Sequence, residues 1–337
     1  WSATDASNDL KNVYFAQTAD TAYATHQGYA VRKITRSAHD NWSIGSVTFG
    51  PAQAAPTSPS AVATVGSGAV TYRYKVTAVD DDTGEESLPT AQFSCTNDLA
   101  TAGNYNTSSW TAAAGADRYI IYKESNGIYG YIGGTTDVSF KDDNIEPDLG
   151  DTPPAARNPF ASSGNYPAVC VFHEQRLCFG FTSNEPSLMW MSQTGRYENL
   201  NRSSPTKDDD SLNFRLVSNA VNAIRGLISL NNLLGFTTGN EFAISGGASD
   251  AITPGTVTVK PQTKYGGAQL QPIDIGDRAL YVQRQGKSIR AMEYSNDRGS
   301  YLANDLTLLI PNLMKGKSIV DWCYAETPLS LLLVVLD

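Results

Sequence analysis

Histidine is the side chain best suited to proton transfer near neutral pH, and the chain has three of them. His26 and His173 fall at the end of one predicted hairpin strand and in the turn of another, and His39 lies in the polar loop SAHDN. Base catalysis would also require a nucleophile and a group that orients the imidazole. The sequence places neither beside these residues, so we interpret them as solvated turn and loop histidines and assign no catalytic residue.

The cysteines show no Cys-x-x-Cys spacing, so we expect no zinc or other metal site. They are Cys95, Cys170, Cys178 and Cys323. Cys170 and Cys178 flank a predicted hairpin, VCVFHEQRLCFG. A turn at Glu174-Gln175 would place Val171 opposite Cys178 and Cys170 on the other face of the sheet, which excludes a disulfide between them. We interpret both as small buried side chains in a reducing cytoplasm.

Acidic residues cluster at three places, and each raises the possibility of a metal or catalytic site. The clusters are Asp80-Asp81-Asp82 with Glu85-Glu86, Asp142-Asp143, and Asp208-Asp209-Asp210. Calcium requires oxygen ligands spaced around a sharp turn, and DDDTGEE lacks that spacing, which favours a solvated loop over a calcium site. A carboxylate pair that cleaves glycosides is defined by distance in space, and nothing in the sequence singles out such a pair.

Glycine-rich stretches could cradle a phosphate, and the chain has them at 66–68, 132–134 and 245–247. No G-K-[ST] follows any of them, so we interpret them as turns and expect no cofactor. Arg32, Lys33 and Arg36 form a small basic cluster after the first hairpin. Such a cluster could contact DNA or an acidic neighbour, but three charges on a loop are more often simply solvated.

The composition favours a folded, strand-rich protein. The chain has 337 residues, 41% hydrophobic and 18% charged, with 17 Tyr and 28 Gly. Tyrosine suits pleated sheets and glycine suits turns, so we expect an all-β fold. The net charge of −9 argues against tight binding of nucleic acid through its phosphates. No apolar run reaches the roughly 20 residues that span a bilayer, so we expect no membrane insertion.

Proline-rich joints, GPAQAAPTSP and GDTPPAARNP, bracket the segment 56–154. Short alternating strands inside it, such as VTYRYKVTAVD and DRYIIYKES, predict a β-sandwich. We therefore divide the chain into 1–55, an inserted sandwich at 56–154, and 155–337.

The rest of the chain repeats one pattern, in which an apolar strand, a tight turn and an alternating strand follow each other. The copies span 13–26, 169–182, 233–246 and 280–295, with turns at Ala19-Asp20, Glu174-Gln175, Gly239-Asn240 and Gly286-Lys287. From the second copy onward they recur at roughly 45–65 residues, the range of four-stranded propeller blades. The alternative is that any antiparallel β protein contains repeated hairpins.

A fifth copy begins at Leu331 and stops at Asp337, without a visible hairpin partner. The chain also begins at Trp1. We therefore expect a fragment in which the propeller-like body is incomplete.

Four stretches resemble the tail nozzle, or packaged-DNA-stabilisation, proteins of short-tailed bacteriophages. They are YFAQTADTAYATHQGYAVRKITRSAHDNWSIGSVTFGPAQAAP, NEPSLMWMSQTGRYENLN, LLGFTTGNEFAISGG with ITPGTVTVKPQTKYGG, and ALYVQRQGKSIRAMEYSNDRGSYLANDLTLLIPNLMKGKSIVDWCYAETP. The third stretch is the most specific. The segment 56–154 resembles fibronectin type III modules, through YRYKVTAVDDDTGEES and GADRYIIYKESNGIYGYIG.

The resemblance implies a structural virion protein with no enzymatic activity. Such proteins form a ring, usually of six copies, below the portal and adaptor proteins, and they carry a needle, fibres or spikes. The ring retains packaged double-stranded DNA, which passes through without sequence-specific binding, and it is assembled in the host cytoplasm. The alternatives are an adhesion or carbohydrate-binding module and, less favoured, a hydrolase on a propeller scaffold.

Overall fold

The computed structural model describes residues 12–219, 222–247, 251–310, 312 and 314–337. Over these residues the protein is all-β, as predicted, and contains no α-helix. None of the described segments forms a helix that is long and apolar enough to cross a membrane. The chain forms two compact units. The body comprises the described residues within Trp1–Thr48, Pro159–Tyr197 and Ser211–Asp337, and the module comprises Phe49–Asn158 and Glu198–Asp210.

The body begins with an antiparallel sheet whose strands pair in chain order. Its strands are β1 (Tyr14–Thr18), β2 (Thr21–His26), β3 (Tyr29–Ala38) and β4 (Asn41–Ser46). Thr18 pairs with Thr21, so Ala19 and Asp20 form the predicted two-residue turn. Ala19 has a φ of 46°, the left-handed conformation that tight hairpin turns require.

The module contains the next nine strands. They are β5 (Thr57–Val65), β6 (Val70–Asp80), β7 (Glu85–Glu86), β8 (Phe93–Asn97), β9 (Tyr105–Thr111), β10 (Arg118–Ser125), β11 (Ile128–Thr135), β12 (Ser139–Asp142) and β13 (Thr152–Ala155). One sheet has the order β11-β10-β6-β7, with β8 also on β6, and the other has the order β12-β9-β5. The strands predicted from the alternating sequences of this segment are confirmed.

The two sheets of the module share one hydrophobic core. Tyr74 and Val76 on β6 are fully buried, as the alternation of Tyr72, Tyr74 and Val76 predicts. They pack with Tyr119 of their own sheet and with Trp110 of the other sheet. The rings of Trp110 and Tyr119 lie 5.3 Å apart, so aromatic contacts join the sheets face to face.

The module also includes the segment 198–210, which lies outside the boundaries set by the proline-rich joints. Thr152 pairs with Ser204 and Ala155 with Arg202 in a two-stranded sheet. The backbone N–H of Arg157 donates to the Asn201 side chain at 2.9 Å. Sequence composition could not reveal this addition, because the segment begins 39 residues after the second joint ends at Pro159 (198 − 159).

The body then continues through the remaining strands. They are β14 (Val169–His173), β15 (Arg176–Gly180), β16 (Leu188–Met191), β17 (Arg202–Ser204, in the module), β18 (Leu212–Arg215), β19 (Ile224–Ser229), β20 (Leu233–Thr237), β21 (Glu241–Ser245), β22 (Thr258–Thr263), β23 (Ile273–Ile275), β24 (Arg278–Val282), β25 (Ile289–Ser295), β26 (Ser300–Asp305), β27 (Ile319–Ala325) and β28 (Leu331–Leu336). They form sheets in the orders β14-β15-β16-β18, β19-β20-β21-β22, β23-β24-β25-β26 and β27-β28. Successive small antiparallel sheets of this kind make the body propeller-like.

Middle strands of the body serve two cores at once. Leu233 of β20 packs with the preceding sheet, in a core that includes Val169 and Met189. The next residue, Leu234, packs with Tyr281 of the following sheet. Because successive side chains of a strand point to opposite faces, a strand that is covered on both faces is apolar at every position.

The predicted turns hold in the first two hairpins and shift in the other two. His173 pairs with Arg176, which confirms the turn at Glu174-Gln175. In the third hairpin Thr237 N donates to Asn240 O at 3.0 Å, so the corners are 238–239 and the predicted position is wrong by one residue. In the fourth, Gln283 N donates to Ser288 O at 2.8 Å, so the turn is a four-residue loop at 284–287. Gly adopts several turn positions, and its presence alone does not define the loop length.

The expectation that the strand at Leu331 lacks a partner is wrong. Strand β28 pairs antiparallel with β27, with Cys323 opposite Leu333. The connection between them includes a hydrogen bond of 2.9 Å from Ser330 N to Glu326 O. The hairpin motif therefore ends at this strand and does not begin there.

Candidate interaction surfaces

Two of the three histidines are buried, which corrects the interpretation that all three are solvated. His26 and His173 are each 5% exposed, because the ends of β2 and β14 are covered by neighbouring segments. The backbone N–H of Gly28 donates to Nδ1 of His26 at 3.0 Å, so this imidazole supports its own turn. His39 is exposed, as predicted.

His173 lies between a serine and a carboxylate that the sequence did not bring together. Its Nδ1 is 2.8 Å from Ser229 Oγ, and its Nε2 is 3.6 Å from Glu174 Oε1. Burial lowers the pKa of His173, and the Glu174 carboxylate opposes that shift. The His173 side chain is only 3% exposed, so a substrate has no access to the imidazole. The contact of His173 with Ser229 connects β14 to β19.

All four cysteines are free thiols. Val171 faces Cys178 and Cys170 faces Phe179, which confirms that the two hairpin cysteines occupy opposite faces. Burial raises the pKa of Cys170 to about 12, and it also raises the pKa of Cys178. Both thiols therefore stay protonated, which makes them unreactive core residues.

The two glutamates of the first acidic cluster are not part of a solvated loop. Glu85 is 5% exposed, and its Oε2 accepts hydrogen bonds from the backbone of Ala52 and Gln53 at 3.0 and 3.2 Å. Its Oε1 accepts from Asn199 Nδ2 at 2.6 Å. Glu86 accepts from the Tyr122 hydroxyl at 2.8 Å, and burial raises the pKa of Glu86.

The other two acidic clusters each contain one buried carboxylate with a structural role. Asp142 is 1% exposed, and its Oδ2 lies 3.1 Å from Lys123 Nζ. Asp210 is also 1% exposed, and it accepts from the backbone of Ser203 and Lys207 at 3.0 and 2.9 Å. Carboxylates that are saturated by such donors leave few oxygen lone pairs for a cation. In the described part of the chain, no group of three or more His, Cys, Asp or Glu could hold a metal ion.

The basic cluster predicted on a loop lies on strand β3 instead. Pleating places Arg32 and Arg36 on one face and Lys33 on the other, so the three charges do not form one patch. Arg36 pairs with Asp20 at 2.9 Å, and its guanidinium lies 5.9 Å from the centre of the exposed Trp42 ring. The charge of Arg36 is therefore partly neutralised by Asp20.

The body contains a cleft of about 680 Å³ between its first and last sheets. The lining residues come from β1, from the segment before β24, and from β27: Val13, Tyr14, Leu270, Gln271, Pro272, Ile273, Asp274, Asp321, Trp322, Cys323 and Tyr324. Gln271 bridges the two walls. Its carbonyl accepts from Trp322 Nε1 at 2.9 Å, and its side-chain amide donates to Phe15 O at 3.2 Å.

The charged lining residues of the cleft are Asp274 and Asp321. These two carboxylates disfavour the binding of a phosphate at this wall. The cleft also contains the exposed Cys323 but no histidine. Its backbone and side chains pack against each other and form the hydrogen bonds of Gln271.

The stretch LLGFTTGNEFAISGG with ITPGTVTVKPQTKYGG contains a network of hydrogen bonds around Glu241. This buried carboxylate accepts from Thr263 Oγ1 at 2.5 Å and from Tyr265 N at 3.2 Å. Gly266 follows with a φ of 73°, and a Cβ at this position would lie 2.4 Å from Thr238 O. The motif therefore ties the β20–β21 turn to the segment after β22 and requires glycine there.

Sequence reasoning missed the residues that join distant parts of the body. Tyr14 reaches β19, and Gln271 connects β1 with β27. The available signal was weak: Tyr14 is one of 17 tyrosines, and Gln271 follows no recognisable motif.

Comparison with known proteins relates part of the chain to one family. Residues 164–320 match the family model of the bacteriophage nozzle protein. No curated protein matches the chain.

Several solved structures share a weak likeness with the chain. A putative 6-phosphogluconolactonase from Bacteroides fragilis is 11% identical, with a TM-score of 0.32, over 87% of this chain and 68% of that one. A protein from Lactobacillus plantarum is 12% identical, with a TM-score of 0.28, over 86% and 83%. An exo-β-1,3-galactanase from Phanerochaete chrysosporium is 11% identical, with a TM-score of 0.23, over 88% and 60%. Likenesses at this level carry no argument about function. The match to the bacteriophage nozzle protein model spans residues 164–320, which is a little under half of the chain.

Proposed function

We propose that the chain is a structural subunit of a phage tail nozzle and not an enzyme. In this proposal, copies of the chain form a ring that extends the head-to-tail channel and retains packaged DNA. The resemblance to the nozzle proteins suggests six copies in each ring. The observation that carries this proposal is the match of residues 164–320, which covers β14–β26 and the start of β27.

The placement of the ionisable groups supports a scaffold. His173 is closed off between two sheets, Glu241 holds a turn in place, and Asp142 is neutralised by Lys123. A catalytic site instead needs ionisable groups that are accessible to substrate.

The proposed partners are further copies of the chain, the portal or adaptor proteins, and a needle, fibre or spike. Double-stranded DNA would pass without sequence-specific contacts, consistent with a net charge of −9. The module would be a fibronectin III-like insertion on this ring.

Electron microscopy of virus particles labelled with an antibody against the module tests the proposal. We expect label at the end of the tail, and we expect light scattering of the assembled protein to give six times the mass of one chain. Label on the capsid, or no label on intact particles, would contradict a nozzle function. A monomer that binds members of a glycan array would favour an adhesion module instead.

A further inference from the structure

An apolar turn projects from the body directly after β26. Ile310 N donates to Thr307 O at 3.0 Å, which closes a β-turn with Leu308 and Leu309 at its corners. These two side chains are 72% and 91% exposed. Leu306 and Ile310, on either side, are also exposed, at 52% and 45%.

The base of this turn is firmly held. Thr307 is 8% exposed, and its backbone N–H and hydroxyl both donate to Asp305 Oδ1, at 2.8 and 2.7 Å. Leu306 N donates to Ile289 O at 2.9 Å. On the far side of the turn, Met314 is buried in the core beneath β27. The leucines are therefore presented on a preformed support.

Local stability does not explain these leucines. Turn corners favour Gly, Pro, Asn, Asp and Ser, because these residues suit the backbone and leave no apolar surface in water. Contiguous exposed apolar residues usually mark a binding surface. A fluid hydrocarbon phase can surround them all, since the hydrophobic effect has no preferred direction.

Two lysines lie beside the turn, in a chain whose net charge is −9. A hollow of about 400 Å³ beside Leu308 is lined by Lys287 and Lys315. Both lysines are exposed. The acid in the same hollow, Asp305, is engaged by Thr307. Lysines next to an exposed apolar tip match the chemistry of an anionic lipid surface, with the apolar part entering the interface and the cations meeting the headgroups.

We propose that the turn 307–310, with Lys287 and Lys315, docks into the interface of an anionic phospholipid bilayer. The tip would enter the headgroup boundary without spanning the membrane, which revises the expectation of no membrane insertion. The proposal concerns lipid contact alone and does not depend on the nozzle function, because particle labelling and lipid binding are measured separately.

Flotation of the full chain with phosphatidylcholine vesicles, with and without one quarter phosphatidylglycerol, tests this inference. We expect binding to the anionic vesicles that weakens as salt is raised. The double variant Leu308→Ser/Leu309→Ser should bind at least tenfold more weakly. Each of Lys287→Gln and Lys315→Gln should weaken binding about fivefold. The matched control Val217→Ser/Leu329→Ser removes two other exposed aliphatic side chains of the body, 68% and 70% exposed, and should float like the wild type.

A second measurement places a probe in the tip itself. Tryptophan at position 309, in the variant Leu309→Trp, should be quenched by brominated lipid more strongly than the tryptophans of the wild-type chain. The proposal is overturned if the wild type does not float with anionic vesicles, or if the double leucine variant floats equally well. It is also overturned if the leucine substitutions abolish self-association and leave flotation unchanged, since the turn would then contact another copy of the chain.

Discussion

The hydroxyl of Tyr14 donates a hydrogen bond of 2.6 Å to the backbone carbonyl of Arg225, which lies 211 residues further along the chain. Tyr14 is 2% exposed and belongs to the core between the sheets of β14 and β19. Burial raises the pKa of the phenol, so the hydroxyl keeps its proton and remains a donor. One side chain of β1 thus connects the start of the body with its third sheet.

Replacing this tyrosine should weaken the body measurably. Tyr14→Phe keeps the ring and leaves the Arg225 carbonyl without this donor, so we expect a loss of about 1–2 kcal/mol in the free energy of unfolding. Urea denaturation would measure the change. Tyr294→Phe is the control, because Tyr294 is 50% exposed, and its loss should be close to zero. Equal losses in the two variants would contradict a specific role for the Tyr14 hydrogen bond.

His173 should make the body sensitive to mild acid. Burial lowers the pKa of His173 in the folded protein from 6.5. Just below pH 6.5 the unfolded chain therefore binds a proton at this residue more readily than the folded protein does. The contribution of neutral His173 to the free energy of unfolding should be fully present above about pH 6.5, and it should decrease as the pH falls from there toward the lowered pKa. Thermal unfolding between pH 7.5 and 5 would show a flatter profile for His173→Gln than for the wild type. The exposed His39→Gln should leave the profile unchanged.

The buried ion pair of the module should be costly to break. Lys123→Met leaves the Asp142 carboxylate buried without its cation, although Tyr74 still donates to it at 2.7 Å. We expect a loss of about 3 kcal/mol in the stability of the module, measured by calorimetry. Lys141→Met is the matched control, since the Lys141 side chain is 56% exposed and lies 3.5 Å from an exposed Asp143. A module that unfolds unchanged in Lys123→Met would show that the pair contributes little.

Removal of the module should leave the body folded but expose one segment. When residues 50–156, which contain the predicted sandwich 56–154, are replaced by a short linker between Phe49 and Arg157, residues 198–210 lose Glu85 and β13 as partners. Trypsin should then cleave the variant at Arg202 or Lys207 much faster than the wild type, while the remaining body keeps a cooperative thermal transition. Insoluble or molten material would show that the module is required for folding of the body.

Duplex DNA should bind the chain weakly at physiological salt. The net charge is −9, the cleft between the first and last sheets has two aspartates in its lining, and Arg36 is paired with Asp20. Fluorescence anisotropy with a random duplex should give a dissociation constant above the micromolar range. Sub-micromolar affinity with a steep salt dependence would reveal a basic surface that these contacts do not indicate.

The parts of the structure that follow from local pattern were predictable from the sequence. The alternation in β6 predicts its buried face, and Glu174-Gln175 predicts both the second hairpin and the separation of its two cysteines. The third and fourth turns were misplaced, because Gly239 and Gly286 fit several positions in a turn. The burial of Glu85 could not be predicted, since its donors include Asn199, a residue 114 positions away. Long-range partners of this kind leave no periodic trace in the sequence.

Strand β20 gives the body a mechanical property as well as a thermodynamic one. Leu233 packs against the sheet on one side of β20 and Leu234 against the sheet on the other side. Tension applied to the sheet of β20 is therefore transmitted to both neighbouring sheets. Strand β24 repeats the arrangement, with Tyr281 facing one neighbour and Leu280 the other. A sheet coupled in this way cannot separate without opening two interfaces, so we expect the sheets of β20 and β24 to unfold together with their neighbours and not one by one.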